Sequence, residues 1–90
     1  MTTDIKADIK NGTIKHSLKI LPKYFNEVQA KRKNFELRLN DRDFKAGDIF
    51  VLREFDDGAY TGRYFIGSIS YVLKNCEEYG LKDGYCIFGF

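Results

Sequence analysis

The 90-residue chain has no tryptophan, one proline, one histidine and two cysteines. Each shortage narrows the reading. His16 is the lone imidazole, and neither Cys76 nor Cys86 has metal-ligand spacing to it. The pattern therefore argues against a zinc-type centre, and no metal or other cofactor is expected. Two cysteines do not build the disulfide framework of a small secreted domain. Cys86 sits in an apolar run and reads as a small buried hydrophobe. No apolar run approaches the length of a membrane span. The opening residues, Met1 to Lys6, lack the apolar centre of a signal peptide. A reducing, cytoplasmic location is the expectation. A Ser–His–Asp or Cys–His arrangement and a phosphate-cradling glycine loop are also missing. Fifteen Lys and Arg against 13 Asp and Glu leave a net charge of +2, short of a strongly basic nucleic-acid-binding domain. Any attraction for phosphate must come from a local patch.

What the chain does have is aromatic residues, eight Phe and six Tyr. A single domain of this length buries only about 60% of its unfolded surface, so large rings are an efficient filling for a small core. Residues 1–12 are polar, alternate in charge and end in the turn signal Asn11-Gly12. They read as a flexible leader, docking weakly through Ile5 and Ile9, with the domain proper over residues 13–90.

Thr13 to Ile20 reads as a strand, with Ile14, His16, Leu18 and Ile20 on one face. Pro22 suits the first turn of a helix, where its missing N–H is not needed. Leu21, Phe25 and Val28 then form one apolar stripe through about Ala30. A strand centred on Glu36–Arg38 follows. Ile49 to Phe55 is rich in β-formers and nearly continuous in apolar character, the mark of a central strand. Asp56 to Ala59 reads as a hairpin turn. A long strand runs from Tyr60 through Leu73, with Gly67 at a bulge or bend. Asn75 to Asp83 connects, with a possible helical turn, to a last strand from Gly84 to Phe90. One short helix and five strands, without repeats, predict an α+β, mostly β domain: a small antiparallel barrel with the helix packed at one side.

The stretch from Lys31 to Asp43 carries the functional signal. Phe35, Leu37 and Leu39 alternate with Glu36 and Arg38, the pattern of a half-buried strand with the apolar set inward. A carboxylate and a guanidinium would then share the wet face about 7 Å apart. Lys31, Arg32 and Lys33 lead in, either as a solvated helix end or as a basic patch.

These residues resemble the ASCH domains of the PUA-like superfamily, closest to a small bacterial and phage-associated subgroup of unknown function. The likeness rests on His16-Ser17-Leu18-Lys19-Ile20, Asn40-Asp41-Arg42, Gly47-Asp48 and Tyr60-Thr61-Gly62-Arg63, and it runs from His16 to Phe90. Within the broader ASCH signature Gly-x-Lys-x-x-Glu-x-Arg, Lys33, Glu36 and Arg38 match. Lys31 stands where glycine is expected, so the turn after the helix carries a left-handed cost. The resemblance implies a PUA-like barrel of about five strands with a cleft between barrel and helix, and a link to RNA. One similar branch hydrolyses an acetylated cytidine with a Lys, a Thr and a later Glu. Lys33 matches its Lys, Glu36 occupies the Thr position, and the later segment is missing or shortened.

The leading expectation is a non-catalytic module for single-stranded RNA or a nucleotide-like ligand. Lys33 and Arg38 would take phosphate or a base edge, and Glu36 would accept from an exocyclic amine. The alternative is an ion pair, Glu36 with Lys33 or Arg38, that braces the barrel mouth. His16 is either a satisfied core residue or a hydrogen-bonding group in the cleft. Arg42, between two carboxylates, reads as a clasp at a turn and secondarily as a ligand contact. Lys19, Tyr60 and Arg63 could extend the rim, with Tyr60 stacking on a base. A small hydrolase using Lys33 and Glu36, and an accessory protein-interaction domain of a phage or mobile element, are the other readings.

Overall fold

The computed structural model describes residues 4–90. Six strands form two three-stranded sheets. In the first, β1 (His16–Ile20), β3 (Ile49–Asp56) and β4 (Ala59–Ser68) lie in the order β1-β3-β4. In the second, β2 (Phe35–Leu39), β5 (Tyr71–Lys74) and β6 (Tyr85–Gly89) lie in the order β2-β6-β5. Only β1 and β3 pair in parallel; the other pairs are antiparallel. β3 occupies the centre its apolar run predicted. The mostly β class stands, as two open sheets with helices beside them rather than one closed strand ring.

Helix α2 (Pro22–Gln29) begins at Pro22 and buries Phe25 and Val28. Leu21 is exposed instead, because it is the extended residue before the helix and lies off the stripe. The helix keeps a left-handed stop despite the departure from glycine: Lys31 adopts φ 62°. The Lys31 amide donates to Val28 O at 3.0 Å, and the Arg32 amide to Glu27 O at 3.0 Å. This is the paired closure of a left-handed helix stop, made here without glycine.

The chain also differs from expectation in its leader and in the long β segment. Residues 5–10, read as part of a leader, form helix α1 (Ile5–Lys10), with the Asp4 side chain accepting from the Ala7 amide at 3.1 Å. The Ile14 amide donates to Asp8 O at 3.0 Å, tying α1 to the start of the domain. The expected long strand is divided at Ile69-Ser70, so that β4 and β5 belong to different sheets. Gly67 is not a bulge; the register shift lies between Arg53 and Phe55. Gly67 pairs with Phe50, and a Cβ there would come within 2.6 Å of Phe50 Cζ. A short 3₁₀ helix (Glu77–Tyr79) supplies the helical turn before β6.

The core is largely aromatic. Phe50 of β3 meets Phe88 of β6 with ring centroids 5.1 Å apart, and Phe88 meets Phe44 at the same separation. Phe50 and Phe88 are fully buried, so this contact joins the two sheets. Cys86 is buried among them as the sequence suggested, and burial pushes its thiol pKa up. Phe35, Leu37 and Leu39 are instead 45, 58 and 50% exposed, while Glu36 is only 4% exposed. Strand β2 is therefore reversed relative to its apolar pattern. In register, Glu36 faces Phe88 and Arg38 faces Cys86 on the inner side.

Two substitutions test this account by chemical denaturation. Lys31→Gly relieves the left-handed strain, partly offset by a more flexible unfolded chain, and is expected to raise stability by up to about 1 kcal/mol. Gly67→Ala drives a methyl into the Phe50 ring and is expected to lower it by about 1–3 kcal/mol.

Candidate functional site

A cleft of about 590 Å³ opens between the end of β1, helix α2 and strand β2. Lys19, Ile20 and Leu21 form one side, Tyr24 and Glu27 come from α2, and Arg32 and Lys33 come from the helix exit. Phe35 to Arg38 complete the wall. Four cations, Lys19, Arg32, Lys33 and Arg38, face two carboxylates, Glu27 and Glu36, so the lining is net positive.

Glu36 anchors the wall. The Lys33 ammonium donates to Glu36 Oε1 at 2.5 Å and to Phe35 O at 2.6 Å. Arg38 Nε donates to Glu36 Oε2 at 2.9 Å, and its Nη2 to Lys19 O at 2.7 Å. The ion pair of the second alternative is present, and it lines the cleft. Lys33 keeps one N–H for a guest, and Arg38 keeps its Nη1 group, which bonds to none of the described residues. Tyr24 and Phe35 are both partly exposed in the lining, with Lys33 Nζ 5.9 and 5.0 Å from their ring centres. Arg32 is held by Glu27 through contacts of 2.6 and 3.2 Å. That bidentate contact lowers the Glu27 pKa and raises that of Arg32.

The other sequence-predicted residues lie outside the cleft lining. His16 is buried, its Nε2 2.9 Å from Asp48 Oδ2 and its ring 4.6 Å from Phe44. It is the satisfied core residue of the two alternatives. Burial opposes the charge on Asp48, but bonds from His16 and the Lys45 amide, with Lys15 nearby, outweigh it and lower its pKa. Arg42 clasps a strand edge, its Nη1 donating to Ser17 O at 2.8 Å. Arg38 and Arg42 thereby occupy alternate carbonyls, Lys19 O and Ser17 O, on the edge of β1 away from β3. These guanidinium groups cover an otherwise open edge. Tyr60 packs on Phe55 with ring centres 5.2 Å apart, and Arg53 stacks on it at 3.8 Å. Lys19 Nζ lies 4.3 Å from the Phe55 ring centre, so it links this aromatic group to the cleft rim.

Arg63 belongs to a separate ionic cluster. Its Nε and Nη2 reach Glu54 at 2.9 and 2.6 Å, and the same side chain reaches Asn26 and Gln29 of α2. Thr61 donates to Glu54 Oε1 at 2.6 Å. The Tyr-Thr-Gly-Arg segment therefore fastens α2 to the β3–β4 hairpin. Bonds from Arg63, then Thr61, bring Glu54 from an ordinary 4.5 down to about 2. Sequence reasoning missed Glu54, which alternates onto the inner face of β3 with Phe50 and Leu52. It also missed Tyr24 and Glu27, whose three-residue spacing puts them on one side of α2, flanking the buried stripe of Phe25 and Val28.

Among the described residues no group of three or more His, Cys, Asp or Glu is placed to hold a metal. Nor is any helix among the described residues long and apolar enough to cross a membrane.

These features define a small, mostly β protein with a positively charged, aromatic-edged cleft beside a short helix. The chain belongs to the family described as a domain of unknown function, DUF3850, whose profile matches residues 15–90. It is also similar to the "uncharacterized 12.9 kDa protein in GpA 3'region" of Escherichia phage P2, with 40% identity over 48 residues. That alignment takes in 53% of this chain and 44% of the phage protein, so less than half of the relative's length is matched.

Glu54 gives a pH signature. Its pKa is depressed on folding, so its stabilisation is full above pH 4.5 and is lost as the pH falls toward 2. In Glu54→Gln, urea melts from pH 7 to pH 2 are expected to show lower stability at neutral pH. They should also show a shallower decline across that acidic window than the parent protein.

Proposed function

We propose that the protein binds single-stranded RNA, with the cleft taking one nucleotide of the strand. The observation that carries this reading is the convergence of unused Lys33 and Arg38 donors with the exposed rings of Tyr24 and Phe35 in one concavity. Ring faces accept any base, while the cations attract phosphate. A volume of about 590 Å³ suits a mononucleotide-sized guest. Glu36 holds the cations in place and has lone pairs left to accept from an exocyclic amine. The similarity of Lys33, Glu36 and Arg38 to the ASCH signature supports the same reading. On that view the two sheets are halves of a PUA-like barrel, with the Arg38 and Arg42 contacts closing the seam along β1. A cytoplasmic location, as expected from the sequence, would suit RNA as partner.

Hydrolysis of an acylated nucleoside is less well supported. Lys33 is tied to Glu36 and to a backbone carbonyl, and Glu36 holds a second cation, so neither is free to serve as a base.

Titration of short single-stranded RNA at two salt concentrations tests the proposal. Binding should weaken with salt by about 0.7 in logarithmic slope per phosphate contacted. Tyr24→Ala should lose about 1–3 kcal/mol of affinity, and Lys19→Ala should reduce the salt slope. Both positions leave the Glu36 bonds intact. No binding at low salt, or unchanged affinity in both variants, overturns the reading.

A further inference from the structure

We infer that the outer face of the β2-β6-β5 sheet is the interface of a homodimer, formed by two copies of the chain packing face to face. This goes beyond the proposed RNA contact and does not depend on it. Pairing puts Phe35 and Tyr71 on either side of Gly89, and Leu37 and Leu73 on either side of Ile87. These outward rows contain no charged side chain. Tyr71 is 66% exposed and Leu73 40%, beside the values already given for β2.

Area decides the occupant. A Tyr or Phe presents roughly 150–250 Å², so the exposed parts of Phe35, Leu37, Leu39, Tyr71 and Leu73 amount to on the order of 500 Å². Monomeric proteins rarely leave a larger patch open, and a standard interface takes about 800 Å² from each partner. A standard face is roughly 60% non-polar, so a patch on the order of 500 Å² supplies about the apolar share of one. The rows themselves are uncharged, with Lys33 and Lys82 only at their margins, beside Phe35 and Tyr85, and an isologous pairing needs only this one patch on each chain. A recess of about 260 Å³ lined by Leu37, Gly80, Leu81, Lys82 and Tyr85 adjoins these rows. Phe35 and Leu37 also belong to the cleft wall, so the second copy borders the cleft.

Sedimentation equilibrium of the full chain tests this. The parent protein should have twice the chain mass, with dissociation in the micromolar range or tighter. Leu73→Lys should be monomeric with a native circular-dichroism spectrum. Tyr71→Ser, a milder change at a more exposed site, should shift the equilibrium toward monomer and serves if Leu73→Lys does not fold. Neither residue lines the cleft, so RNA affinity remains a separate readout. A parent protein that is monomeric at every concentration overturns the inference, including the case where another protein uses this face. A dimer that survives unchanged in the folded variants also overturns it.

Discussion

The buried Glu36 carboxylate and its two cations set the geometry on which the cleft depends. A charge this far from water is tolerable only when its oxygens are bonded, and removing a partner from such a pair leaves an unpaired charge at a cost of about 3–5 kcal/mol. Lys33 and Arg38 meet that need. Because Arg38 also reaches Lys19 O, the same network holds the edge of one sheet to the edge of the other. The carboxylate is then both a fold determinant and the scaffold that holds Lys33 and Arg38 in the cleft lining.

A second carboxylate, Glu54, plays a related part at the far side of α2. Its bonds to Arg63, which in turn reaches Asn26 and Gln29, fasten the helix to the β3–β4 hairpin. The helix thus lies between two ionic anchors, with Phe25 and Val28 filling the apolar space below it. Such double anchoring matters for so short a helix, which is marginal alone. It also presents Tyr24 at a fixed place on the cleft rim.

Much of this was legible in the residues. Pro22 marked a helix start, the apolar run at Ile49 marked a central strand, and Lys33, Glu36 and Arg38 were singled out together. Lys31 at the glycine position pointed to a costly or altered turn, and the structure keeps the left-handed stop. Other features left no local mark. Arg42 and Arg63 find their partners 25 and 9 residues away, and sequence spacing carries no information about such meetings. The division of the long β segment at Ile69-Ser70 follows from which sheet each half can join, a tertiary choice. Asp4 did offer a sign of α1, since Asp is a favoured helix cap, but the polar composition of the leader outweighed it.

Strand β2 shows where the boundary falls. The sequence by itself sorted its side chains into two sets, Phe35, Leu37 and Leu39 against Glu36 and Arg38, because strand geometry sends alternate residues to opposite faces. Which set turned inward was decided only by the tertiary structure. A shift of one residue in pairing exchanges the faces without altering the pattern. Here the charged set went in, because Lys33 and the carbonyl of Lys19 were in place to satisfy it, and the apolar set was left facing out.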